Sequence, residues 1–170
     1  MTKVATLRLR LMLLAASYLP IGGPGHGAES KRPCDPEQIV RAIYKTYASQ
    51  PNQLDSKVIL PYADRALARM IRKDMACREI CVLDFVFLID AQDYEYIRLT
   101  SAVPEPGGDG LDIRAEVDIG VAKSTIHFLF ARTPQCTELT DVRITDDRKD
   151  SWSLRQVLAD YHEPAKPRKK

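Results

Sequence analysis

Apolar positions recur at helical spacing in the first half of the chain and alternate in the second half. In CDPEQIVRAIYKTYASQP, residues 34–51, Ile39, Val40, Ile43, Tyr44 and Tyr47 fall on one stripe, the pattern of an amphipathic helix facing a core. Asp35 is placed to cap this helix, Pro36 fits its first position, Gln38 can return a bond to the cap, and Pro51 stops it. Tyr44 and Tyr47 suit core packing with their hydroxyls at the rim, or else the wall of a ligand pocket. A connector, NQLDSKVILPY, leads into a second helix, ADRALARMIRKDMACRE, residues 63–79, with Leu67, Met70, Ile71 and Met75 at helical spacing. Arg65, Arg69, Arg72 and Lys73 take the other side, as a solvated basic face.

From residue 97 the period changes to two. Ile113, Ala115, Val117, Ile119 and Val121 alternate with Arg114, Glu116, Asp118 and Gly120, which predicts a half-buried antiparallel strand. PEPGGDG, residues 104–110, is a hairpin connection without the spacing or the Lys-Ser/Thr of a phosphate-binding loop. STIHFLFAR, CTELTDVRI and SWSLRQVL are expected to be the next three strands, with DDRKD as a charged turn before the last. Helices first and a meander afterwards predict an α+β domain whose helices cover one face of a curved antiparallel sheet.

Charge changes the account of both ends. MTKVATLRLR holds Lys3, Arg8 and Arg10 with no acid, LMLLAASYL is apolar, and the small residues of PIGGPGHGAES follow. That order is a secretory signal peptide ending near Ala28, and its apolar run is shorter than the roughly 20 residues that span a bilayer. The expected organisation is a signal peptide over 1–28, a single α+β domain over 29–162, and a basic disordered tail over 163–170. The product would be periplasmic or secreted, with no transmembrane segment after cleavage. The net charge of +2 comes from the leader and the tail. The mature chain is near neutral, which argues against nucleic acid as a partner.

Four cysteines, Cys34, Cys77, Cys81 and Cys136, are an even set that an oxidising compartment would join in one of three connectivities. Zinc on Cys77, Cys81 and His127 is the alternative, disfavoured by the C-x-x-x-C spacing. The pairing we expect is Cys77–Cys81 with Cys34–Cys136. No G-x-S-x-G, H-E-x-x-H or calcium-loop motif is present, so no metal and no cofactor is expected. His127 alternates out of phase with Ile126, Phe128 and Phe130, which turns it away from their core.

FLIDAQDY, residues 87–94, is the densest polar sequence after an apolar run. Asp90 and Asp93, with Asp84 nearby, could divide acid and base roles if burial separated their pKa values. The plainer expectation is a corner, where Asp90 or Asp93 caps a turn and Gln92 satisfies exposed backbone groups.

CVLDFVFLIDAQDY resembles the signature of an exported bacterial family, domain of unknown function 3828: D-x-D-P-F-L-x-A-Q-D followed by an aromatic. Asp84, Phe87, Leu88, Ala91, Gln92, Asp93 and Tyr94 carry the likeness, with Asp84 one position after the pattern's first Asp and one extra residue between Leu88 and Ala91, whereas Val86 replaces the usual Pro and Phe85 a frequent Asp. IVRAIYKTYA resembles the family's first helix, and SWSLRQVLADY its terminal strand. The resemblance implies a nuclear-transport-factor-like, or cystatin-like, cone, in which a curved antiparallel sheet wraps around a helix and leaves a pocket at its open end. It allows a homodimer through outer sheet faces.

The function expected on these grounds is a non-enzymatic exported binding module. It would hold a protein partner, such as the effector an immunity protein neutralises, or a small apolar ligand. The pocket candidates are Asp84, Asp90, Gln92, Asp93, Tyr94, Tyr44 and Tyr47. The alternative is a small isomerase or dehydratase with Asp93 as base and Tyr94, Tyr44 or Tyr47 as oxyanion donors.

Overall fold

The computed structural model describes residues 32–50, 55–78, 81–83, 86–91, 94–145 and 151–162. The expected signal peptide, the basic tail and the charged turn at 146–150 lie outside these residues. Over the described residues the chain is α+β: α1 (Pro36–Ser49), α2 (Asp55–Ile59), α3 (Arg65–Met75), β1 (Arg98–Pro104), β2 (Asp112–Asp118), β3 (Lys123–Arg132), β4 (Thr137–Thr145), β5 (Ser151–Ser153) and α4 (Leu154–His162). The five strands form one antiparallel sheet in sequence order, so every connection joins neighbours. Among the described residues, no helix is long and apolar enough to cross a membrane.

The α1 helix starts where its sequence says. The Asp35 side chain accepts from the Gln38 amide at 2.9 Å, Pro36 opens the helix, and all five stripe residues are buried. That stripe packs against β1 and β2, while α3 and α4 pack against β4. The sheet meets the helices with one apolar face built from cross-strand pairs: Ala115 with Ile126, Ile113 with Phe128, Phe128 with Val142, and Phe130 with Leu139. His127 is on the other face and only half-buried, its Nδ1 3.2 Å from the Asp112 Oδ1.

Alternation is interrupted twice. Leu99 pairs with Val117 and Ser101 with Glu116, leaving Thr100 as an extra residue in β1. A second bulge, at Thr140, separates the Leu129–Asp141 pair from Phe130–Leu139. The first allows Leu99 and Ala102, three residues apart, to share the face that α1 covers. The Thr100 hydroxyl closes the bulge by donating to the Glu116 carbonyl at 2.9 Å.

Four expectations are corrected. SWSLRQVL is a strand only over Ser151–Ser153; Leu154–His162 is helix, with Leu154 and Leu158 fully buried one turn apart. Ser153 starts α4 by accepting from the Gln156 amide, and Asp141 accepts from the Arg155 amide. The connector NQLDSKVILPY contains α2, which buries Val58 and Ile59. The second helix is shorter than expected, starting after its cap Asp64 and ending at Met75, which is exposed. The β2 strand ends at Asp118, because Gly120 takes a φ of +87° and turns the chain, leaving Val121 64% exposed.

Both expected bridges are present. Cys34 joins Cys136 and Cys77 joins Cys81, with Cα–Cα distances of 4.8 and 5.8 Å, so no cysteine is left for zinc. The long bridge fixes the start of α1 to the start of β4, where the Thr137 hydroxyl also donates to the Cys34 carbonyl.

Candidate functional site

The described part of FLIDAQDY is a turn over residues 87–90 whose apolar side chains point inward. Phe87, Leu88 and Ile89 are fully buried, and Phe87 stacks on Trp152 with ring centroids 6.1 Å apart. A turn placed inside a protein must satisfy its backbone groups there. The Leu88 amide donates to Asp55 Oδ2 at 2.7 Å, the Tyr44 hydroxyl donates to the Leu88 carbonyl at 2.7 Å, and the Ser124 hydroxyl donates to the Ile89 carbonyl at 2.7 Å. Asp90 ends the turn in the left-handed region at φ +51°, exposed to solvent.

Asp55 is the centre of this arrangement, and sequence reasoning assigned it no role. It also accepts from the Tyr47 hydroxyl and the Phe87 amide. Burial pushes its carboxyl up to about 6, and the hydrogen bonds from Leu88, Tyr47 and Phe87 limit the rise. Burial likewise raises the Tyr44 and Tyr47 hydroxyls, with the Asp55 charge as the second cause. Both tyrosines are therefore neutral donors at any physiological pH.

The sequence-predicted residues separate as follows. Tyr44 and Tyr47 come together at Asp55 and the 87–90 turn. Tyr94 packs half-buried against the core. Asp90 faces solvent. Asp84, Gln92 and Asp93 lie outside the described residues, and with them the isomerase alternative based on Asp93.

Beside this cluster, α1 and the start of β1 enclose a groove of about 290 Å³. It is lined by Arg41, Tyr44, Lys45, Ala48, Ile97 and Leu99. Tyr44 belongs to both places, lining the groove while its hydroxyl holds Leu88. Arg41, Lys45 and Ala48 repeat at i, i+4 and i+7 on α1, beside the buried stripe. That flank was visible in the sequence as the border of the apolar face. Its partner strand was not, because the Thr100 bulge breaks the alternation that would have assigned Leu99 to α1. Among the described residues no acid lines the groove, and Asp55 does not reach it.

The other buried acids are structural in the same manner. Asp74 accepts from the Val82 and Leu83 amides at 2.9 and 3.2 Å. Asp118 accepts from the Gly120 amide, the Tyr96 hydroxyl and Arg98, whose guanidinium is 2.6 Å away, and these bonds hold its carboxyl below the usual range. Asp141 takes the Ser153 hydroxyl and the Val142 and Arg155 amides. Among the described residues, no group of three His, Cys, Asp or Glu side chains is arranged to hold a metal ion. Compared with family models, curated proteins and solved structures, the chain matches none.

Proposed function

We propose that this chain is an exported, non-enzymatic binding module whose ligand seat is the groove between α1 and β1. The observation that carries the proposal is the composition of that groove: apolar walls from Ala48, Ile97 and Leu99, a tyrosine, two cations, and, among the described residues, no acid or nucleophile. The buried carboxylates that could have served chemistry are taken up by backbone amides. About 290 Å³ is near the lower end of small-molecule sites, roughly 300–1,000 Å³. A small ligand therefore fits better than a protein partner, which needs on the order of 800 Å² of surface per side.

Export is part of the same proposal, supported by the leader pattern and by two bridges of the kind kept in oxidising compartments. So is the likeness to domain of unknown function 3828 and its cone, supported by the α+β element order and by two bulges of the kind that bend a sheet. The test is an NMR titration of the oxidised protein with short apolar and amphipathic compounds. Saturable shifts at Tyr44, Ala48, Ile97 and Leu99 are expected, and Ala48→Phe should abolish them by filling the groove. Shifts centred elsewhere, or none that saturate, would end the proposal.

A further inference from the structure

We infer that the groove takes an amphipathic monoanion, a small carboxylic acid with a saturated tail, whose carboxylate pairs with Lys45 while the tail lies on Ala48, Ile97 and Leu99. The inference rests on the groove being a ligand seat and adds the chemistry of its occupant. Two cations line the groove, and they differ. The Arg41 Nη2 and Nε hold Glu37 at 2.7 and 3.0 Å, and Nη2 also reaches the Ala102 carbonyl at 3.4 Å, so its charge is offset and its Nε and Nη2 donors are engaged. Lys45, one turn further along α1, is exposed and has no carboxylate partner among the described residues.

One uncompensated ammonium suits one negative charge, and an ammonium binds as a point charge without demanding a planar fork. Compact, strongly hydrated anions are disfavoured because three of the six lining residues are apolar and return no hydrogen bonds for the water removed. A cationic or neutral head group leaves Lys45 without its complement. The ligand must therefore be charged at one end and apolar at the other.

Nonanoate, octanol and octyltrimethylammonium share an octyl tail and differ in the head, so titrating each at neutral pH separates the contributions. Nonanoate should bind the oxidised protein about three- to fivefold more tightly than octanol, the size expected of one exposed ion pair. The cation should bind more weakly than either. Lys45→Gln should bring nonanoate down to the octanol value and leave octanol unchanged, and added salt should reproduce that loss. Equal affinity for nonanoate and octanol, preference for the cation, or a nonanoate affinity indifferent to Lys45→Gln would overturn the inference and leave the seat standing. If none of the three binds in the groove, the inference and the seat fall together.

Discussion

A carboxylate removed from water has to be compensated by neighbours, and Asp55 shows how far the compensation goes. Three backbone amides, its own among them, and one tyrosine hydroxyl surround it, yet burial still holds its pKa near 6 against an ordinary 3.8. The folded state therefore keeps a proton that the unfolded chain releases. This contribution to stability is fully present below about pH 4 and is lost as pH rises through about 6. At full development it is about 3 kcal/mol, at about 1.4 kcal/mol per pKa unit. Asp55→Asn, a neutral near-isostere, should remove the dependence. In urea titrations the stability of the variant relative to the unmodified protein should rise between pH 4 and pH 7. A difference that stays flat would show that Asp55 ionises in the folded protein as it does in water, and one that falls would show that it ionises there more readily. Nothing in NQLDSKVILPY distinguishes this residue from a surface acid, because burial depends on a turn that follows it by about 30 positions. FLIDAQDY did announce itself, by placing polar residues directly after a run too apolar to be exposed.

At the scale of elements, α1 was legible because cap, first-position proline and stripe all agreed. The strands were legible wherever alternation was uninterrupted. The last element was not. In SWSLRQVL the apolar positions Trp152, Leu154, Val157 and Leu158 satisfy a strand at the start and a helix at the end, and only Ser153 marks the change. Its hydroxyl accepts from Gln156 and donates to Asp141, which itself holds the Arg155 amide. Ser153→Ala should cost about 1–2 kcal/mol, the usual loss for an N-cap, with helical circular dichroism declining before the sheet melts. Loss below about 0.3 kcal/mol would mean that Asp141 caps the helix alone. The α2 helix was missed for a different reason: five residues are too few to establish a helical period, and it is held by tertiary packing of Val58 and Ile59.

At the scale of the molecule, the two bridges act over very different lengths. Cys34–Cys136 closes a loop with a sequence separation of 102, and Cys77–Cys81 one of 4. Chain entropy assigns about 4–5 kcal/mol to the first and about 2 kcal/mol to the second. The double replacement Cys34→Ala/Cys136→Ala should therefore lower the urea midpoint far more than Cys77→Ala/Cys81→Ala; equal losses would contradict the assignment. The α+β class and both bridges could be read from the sequence, whereas the groove depended on which strand residues the sheet turned toward α1. That choice is made by a single unpaired position. The β1 strand lies at the edge of the sheet, hydrogen-bonded to β2 alone, and Thr100 holds its offset through one hydroxyl. If its first half slid by one residue, Leu99 and Ile97 would leave the groove floor, and Thr100 and Arg98 would replace them. The same strand thus carries an apolar row and a polar, cationic one, and the bulge at Thr100 sets which of them faces α1.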